Sequence, residues 1–161
     1  MKTSIKYGFY LGLCLVVGTQ ILTWLGQGST NWFVLLTYLF VIGFSFVILR
    51  KVRSENDGKL RLLNIFVTIF TMVIISRIIF QIYMFIYTHY IDPGWIETVA
   101  GTWTNTMQES DLSEEIVEQR ISGFRKAYEP IPMFTVELIK YAVPQIILGL
   151  LVSLIFLFRK K

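Results

Sequence analysis

Four long apolar runs, separated by polar segments, dominate the pattern of hydrophobic and polar positions along this chain. They cover residues 5–25, 32–49, 62–91 and 133–158. A helix needs about 20 apolar residues to cross a hydrocarbon core of about 30 Å, and each run is close to or above that length. The pattern therefore predicts an all-α membrane protein with four transmembrane helices, built as one integral-membrane domain over residues 1–161.

The third run is the longest and carries a charge in its middle. Residues 62–91 would form a helix of about 45 Å at about 1.5 Å per residue, longer than the hydrocarbon core. Such a helix must tilt or project beyond the bilayer. Arg77 lies within the apolar part of this run.

The polar segment at 93–129 has two stretches with helical periodicity. The apolar positions of the first stretch are Ile96, Val99, Trp103 and Met107, and those of the second are Val117, Ile121, Phe124 and Tyr128. This spacing places each set on one helix face, so the segment is predicted to form a two-helix hairpin between spans three and four. The apolar faces need cover, which the membrane, the spans, a partner protein or another subunit could supply.

Helix boundaries are marked by prolines and capping residues. Asp92 and Pro93 end the third run, and Asp92 is predicted to cap the next helix with Pro93 at its first position. Ser113, followed by two glutamates, is the predicted cap of the second hairpin helix. Pro130 and Pro132 are predicted to end that helix.

Small residues mark the predicted packing faces of the spans. Gly8 and Gly12 are four residues apart in the first run and would allow another helix to approach closely, within the bundle or between subunits. The fourth run has small or polar side chains every four residues, at Gln145, Gly149 and Ser153. We interpret this as a packing stripe first and a pore lining second. Pro144 in the same run is predicted to kink the helix.

Composition supports the membrane class. The chain is 54% hydrophobic and 16% charged, whereas soluble domains are about 45–50% apolar and about 25% charged. The net charge of +4 does not indicate nucleic acid, because the basic residues lie at the ends of apolar runs. A lone cysteine, Cys14, excludes an internal disulfide.

The basic residues also predict an orientation. Ten of them lie in the first six residues, the 50–61 connector with its predicted turn at 56–58, and the tail from 159, whereas the 26–31 turn has none. Residues 92–132 hold three basic and eight acidic residues. Since basic segments stay in the cytoplasm, both termini are predicted to be cytoplasmic and residues 92–132 to face the opposite, periplasmic side.

Charged residues within the spans are the candidate site. Arg77 and Gln81 share a face of the third run, and Glu137 and Lys140 share a face of the fourth. A lone charge at depth costs about 2.5–3.5 kcal/mol on insertion scales. We therefore expect an Arg77–Glu137 ion pair with support from Gln81. The site could bind an ion or relay protons, or it could only join two helices or reach the headgroups.

Several short motifs together resemble a known bacterial family. They are the opening Lys6-Tyr7-Gly8, the Tyr90-Ile91-Asp92-Pro93 exit from span three, and the Leu112-Ser113-Glu114-Glu115 start followed by Pro130 or Pro132. In layout the chain resembles the domain-of-unknown-function family 4199 of small four-span proteins, found mostly in Bacteroidota. The resemblance implies a bacterial inner-membrane protein and carries no activity, cofactor or site residue.

Two functions follow as hypotheses. The first is a non-enzymatic membrane protein whose external hairpin binds a membrane or periplasmic protein, or a second copy. The alternative is a small transporter or channel with a charged site around Arg77 and Glu137. No enzyme is expected, because the sequence has no nucleophile with a base, no phosphate-binding glycine loop and no paired catalytic carboxylates. No cofactor or metal is expected either, since His89 has no second histidine or cysteine as a metal ligand nearby.

Overall fold

The structure is a computed structural model that describes residues 2–25, 31–56, 61–109 and 112–158. Every regular element within these residues is helical. The helices are α1 (Lys2–Trp24), α2 (Asn31–Glu55), α3 (Leu62–Ile86), α4 (Trp95–Gln108), α5 (Glu114–Ala127), the single turn α6 (Pro130–Pro132) and α7 (Leu138–Phe158). Most of the turns predicted at 26–31 and 56–58, and the basic tail from 159, lie outside the described residues.

The prediction of four apolar helices is confirmed. Within the part of the chain that the structure describes, four helical segments are long and apolar enough to cross a membrane: Lys2–Trp24, Val34–Glu55, Leu62–Ile91 and Pro130–Ile155. The second differs from its predicted extent, because α2 continues to Glu55 through the basic connector instead of ending at residue 49. Lys and Arg have high helix propensity, so a polar end can prolong an apolar helix.

The chain divides into two compact units. Unit 1 comprises Met1–Phe80 and Lys140–Lys161, and unit 2 comprises Gln81–Ile139. The predicted single domain over residues 1–161 is not tested by this division and stays a prediction.

Glycine allows the helices of unit 1 to pack closely. A Cβ atom added at Gly8 would lie 2.8 Å from the Met72 carbonyl oxygen and 3.0 Å from Cβ of Ile75. A Cβ atom at Gly12 would lie 2.9 Å from Cβ of Ile79. The 2.8 Å distance at Gly8 and the 2.9 Å distance at Gly12 are shorter than a Cβ atom tolerates, so α1 can lie this close to α3 only because neither glycine has a side chain. The face predicted from the glycine spacing is therefore in contact within unit 1.

The predicted packing stripe of the fourth span also faces the interior of unit 1. Gln145 and Ser153 are both 2% exposed. A Cβ atom at Gly149 would lie 2.6 Å from Cγ2 of Ile69 and 3.2 Å from the Ser45 hydroxyl oxygen. Pro144 lies inside α7, and the helix continues on both sides of it. Helices in membranes tolerate such a proline because neighbouring groups satisfy the freed carbonyl.

Unit 2 contains two π-helical turns that flank its α-helices. The first π turn (Tyr87–Ile91) follows α3, and the second π turn (Met133–Glu137) follows α6. A 2.8 Å hydrogen bond from the Asp92 amide to the Tyr87 carbonyl closes the first turn. Its spacing of five residues is that of a π-helix.

The helix starts in unit 2 differ in detail from those predicted. α4 begins at Trp95 after Gly94, so Asp92 is not its capping residue and Pro93 does not occupy its first position. Ser113 does precede α5 with an extended backbone, but its hydroxyl makes no capping hydrogen bond. α5 ends at Ala127, and the helical turn Pro130–Pro132 follows it.

Candidate functional sites

The first candidate site is a buried guanidinium in unit 1. Arg77 is 2% exposed and is among the largest fully buried side chains of the described residues. Its Nε donates a 2.9 Å hydrogen bond to Oε1 of Gln145, which is also 2% exposed. The bond joins α3 to α7 across 68 positions of sequence. A bond to a neutral amide partly compensates the charge, since hydrogen bonds to charged groups contribute about 1.5–3 kcal/mol.

Aromatic rings also contact this charge. The Arg77 guanidinium carbon lies 5.2 Å from the ring centroid of Tyr141 and 5.7 Å from that of Phe80. Both distances are within the cation–π range of about 6 Å, and such contacts are strongest when water is excluded. Nζ of Lys140 lies 5.4 Å from the same Tyr141 ring. The structure therefore brings two predicted site residues, Arg77 and Lys140, to one tyrosine.

The other two predicted site residues belong to unit 2. Nε2 of Gln81 donates a 3.1 Å hydrogen bond to the Met133 carbonyl oxygen, which ties the end of α3 to the second π turn. Glu137 is the last residue of that turn. The predicted ion pair between Arg77 and Glu137 is not tested by these contacts and stays a prediction.

Sequence reasoning did not identify Gln145 as a partner of Arg77. The available signal was the four-residue spacing that includes Gln145, which placed it on an interior face but did not indicate its partner. An amide and a guanidinium have complementary hydrogen-bonding groups. However, the side chain opposite a given residue depends on the depth and rotation of two helices that are distant in sequence.

Two further polar atoms are buried in unit 1 without a hydrogen-bond partner in the described part of the chain. They are the hydroxyl oxygens of Thr37 and Ser45, which lie two helical turns apart on α2. Ser and Thr in transmembrane helices usually donate to a carbonyl of the preceding turn, as Thr19 does to Leu15 at 2.7 Å. Unpaired hydroxyls in a dry interior are unfavourable.

The second candidate site is the pair of helices α4 and α5, called here the α4–α5 pair. Its buried core consists of Ala100, Val117 and Ile121. Trp103, Met107, Leu112 and Phe124 pack around this core. The apolar faces predicted from the sequence thus contact each other.

A salt bridge joins the beginning of α4 to the end of α5. Nε and Nη2 of Arg125 donate to the two carboxylate oxygens of Glu97 at 2.9 and 2.7 Å. This fork is the geometry in which arginine binds carboxylates best. The hydrogen bond and charge of Arg125 lower the pKa of the Glu97 carboxyl, and those of Glu97 raise the pKa of Arg125. Both side chains are more than half exposed, so the pair contributes little to stability.

A row of aromatic rings runs through unit 2. Tyr87 contacts Trp95, Trp95 contacts Tyr128, and Tyr128 contacts Phe124, with centroid separations of 6.3, 5.5 and 5.1 Å. Phe124 in turn lies 4.8 Å from Trp103. Such pairs add about 0.5–1.5 kcal/mol each beyond the area they bury. The row connects the first π turn to the core of the α4–α5 pair.

A groove of about 540 Å³ lies along the α4–α5 pair and is called here the α4–α5 groove. α4 contributes Thr104 and Gln108 to its lining. α5 contributes Glu114, Val117, Glu118, Ile121, Ser122, Arg125 and Lys126. The groove therefore has two apolar residues in its lining and charged residues of opposite sign towards its two ends.

These features define a class of protein. The chain has four apolar helices, one of which carries a buried guanidinium, and a further helix pair with its own core. This is the architecture of a multi-pass α-helical membrane protein. The chain belongs to the family described as "Protein of unknown function (DUF4199)", which matches residues 6–157, and the predicted membership is confirmed. Comparison with curated proteins and with solved structures found no match.

Proposed function

We propose that this membrane protein is non-enzymatic and binds a polypeptide partner through the α4–α5 groove. The observation that carries the proposal is the lining of that groove, where acidic and basic side chains lie along it on either side of Ile121 and Ser122. Charged groups arranged along a groove select a partner and fix its orientation. A groove between two helices also has the shape that receives an additional helix.

The packing of the α4–α5 pair supports this role. Val117 and Ile121 are 5% and 6% exposed, so the lining is held in place by the core beneath it. A surface that is ordered before binding loses less conformational entropy on association. The groove is therefore better suited to recognition than a mobile connector of the same composition.

We also propose a bacterial inner-membrane location with both termini in the cytoplasm and the helical hairpin on the periplasmic side. The distribution of Lys and Arg supports this orientation, because basic connectors remain on the cytoplasmic side of a membrane. A partner of the α4–α5 groove would then be a membrane or periplasmic protein.

Site-specific photocrosslinking in living cells tests the proposal. A photoreactive amino acid at Gln108 or Ser122 would lie in the groove, whereas one at Thr102 or Thr106 would lie at exposed positions of α4 outside the groove lining. We expect discrete crosslinked protein products from the first two positions and only background from the other two. Equal yields at all four positions, or no product from the groove, would rule out partner binding at this surface.

A second candidate function is the transport of a small anion, and the burial of Arg77 favours it. Intramembrane charges commonly mark ion pathways. The test is halide flux into liposomes that contain the purified protein. Transport predicts a flux that Arg77→Gln abolishes and that Arg50→Gln, at an exposed position near the end of α2, leaves unchanged. A flux no greater than that of empty liposomes would exclude this function.

A further inference from the structure

Charge is distributed unevenly along α5. Its acidic residues, Glu114, Glu115 and Glu118, all precede its basic residues, Arg120, Arg125 and Lys126. Four of these residues, Glu114, Glu118, Arg125 and Lys126, line the α4–α5 groove. The groove therefore has an acidic end and a basic end, with Ile121 and Ser122 at its midpoint.

Such a surface is complementary to itself when one copy is turned around. If two α5 helices lie antiparallel, with a two-fold axis beside Ser122, Glu118 of each copy comes opposite Lys126 of the other. A two-fold interface requires this property, because the same patch is used on both sides. A parallel arrangement would place Glu118 against Glu118 and Lys126 against Lys126, which is repulsive.

We propose that the α4–α5 groove receives α5 of a second copy of this chain, so that two chains form a two-fold dimer through antiparallel α5 helices. The inference rests on the proposed function and names the partner. The two α4–α5 pairs would then form a four-helix arrangement, in which helices pack antiparallel or parallel with small crossing angles.

A small, polar interface is sufficient for this dimer because both chains are anchored in the same membrane. Val117 and Ile121 are already buried within one copy, so most of the contact would come from charged and hydroxyl groups. Complementary charge selects the partner and its orientation more than it adds affinity. Two chains anchored in the same membrane also meet at a high effective concentration, which lowers the affinity that the contact itself must supply.

Cysteine crosslinking tests the two-fold axis. Cys14 is the only cysteine, so a Cys14→Ala background carries one added thiol per chain. Ser122→Cys would place two thiols beside the axis, within the Cα separation of about 7 Å that a disulfide requires. Gly123→Cys is the matched control: it is the next residue, also exposed, and nothing lies within 4 Å of an added Cβ. Mild oxidation of membranes should give several-fold more disulfide-linked dimer from Ser122→Cys, and equal yields would overturn the proposal.

Charge reversal tests the complementarity itself. Glu118→Lys and Lys126→Glu should each reduce the Ser122→Cys dimer several-fold, and the two together should restore it, because the opposite charges then face each other again. Failure of the double variant to restore the dimer would overturn the proposed alignment.

The photocrosslinking products distinguish this inference from the function on which it rests. A Ser122 product with twice the mass of the chain supports the dimer. A product of another mass leaves partner binding intact and overturns the second copy as the occupant. The absence of any product specific to the groove overturns both.

Discussion

Nε of Arg77 donates a 2.9 Å hydrogen bond to Oε1 of Gln145, and both side chains are 2% exposed. The bond links α3 and α7 inside a unit whose other contacts are mostly apolar. Burying a guanidinium charge is unfavourable unless other groups stabilise it. Here one neutral amide hydrogen-bonds it and two aromatic rings contact it, so the stability of the folded protein depends on these partners.

Removing the acceptor should destabilise the protein more than removing the charge. Gln145→Leu leaves a buried guanidinium without its amide partner, so we expect the free energy of unfolding to fall by about 1.5–3 kcal/mol. Arg77→Leu removes the buried charge together with the bond, so its loss should be smaller. The measurement is unfolding of the purified protein in mild detergent. When Arg77→Leu and Gln145→Leu are combined, the free energy of unfolding should fall by less than the sum of the two single effects. Strictly additive effects would show that the hydrogen bond contributes nothing to stability.

Close packing at Gly8 predicts sensitivity to one methyl group. In Gly8→Ala the new Cβ would lie 2.8 Å from the Met72 carbonyl oxygen, and a backbone atom cannot move aside cheaply. We expect a loss of about 1–3 kcal/mol, as for other overpacked sites. Gly43→Ala is the control, since nothing lies within 4 Å of its Cβ, and it should be neutral or stabilising by up to about 1 kcal/mol. Similar effects of the two variants on detergent unfolding would contradict the packing of α1 on α3.

The unpaired hydroxyls of α2 predict that removing a buried polar group will not destabilise the protein. Replacing Ser45 with Ala, or Thr37 with Val, removes a buried oxygen that has no partner in the described structure. Because an unsatisfied buried hydroxyl is unfavourable, both variants should unfold at the same or a higher temperature than the parent. If the free energy of unfolding instead falls by more than about 1 kcal/mol, the variant has lost a hydrogen bond. The hydroxyl would then be paired with a bound water or ligand.

The Glu97–Arg125 salt bridge predicts a dependence on pH. Arg125 lowers the pKa of Glu97 in the folded protein, so folding favours the ionised carboxylate. This contribution is complete above the usual pKa of glutamate, about 4.3, and is lost as the pH falls through the lowered value. The protection of α4 amides against hydrogen–deuterium exchange, expressed relative to the intrinsic exchange rate at each pH, should therefore fall below about pH 4.

Two variants isolate that contribution. Glu97→Gln should remove the part of the pH dependence that comes from the salt bridge, whereas Glu115→Gln, an exposed change in the first turn of α5, should retain it. The effect should also weaken in high salt, because both side chains are exposed and charges at the surface are screened. An unchanged profile for Glu97→Gln would mean that the pair does not couple α4 to α5.

The hydrophobic pattern was sufficient to predict the helices. Runs of apolar residues determine which segments can cross a bilayer, and this depends on composition and length alone. The spacing of Val117, Ile121 and Phe124 likewise predicted the apolar face of α5. The exact helix ends were less predictable, because α2 continues through polar residues to Glu55 and α4 starts at Trp95 rather than Pro93.

Membrane class and the apolar faces of the helices were thus determined by the sequence alone, because both depend on residues that are near one another in the chain. The family was also recognised from the sequence, through short motifs and their order along the chain. Tertiary structure decided which residues meet. It placed Gln145 against Arg77 and Gly8 against Ile75, and it brought Thr104 of α4 and Glu118 of α5 to one groove. These contacts depend on the relative depth and rotation of packed helices, which the periodicity of a single helix does not contain.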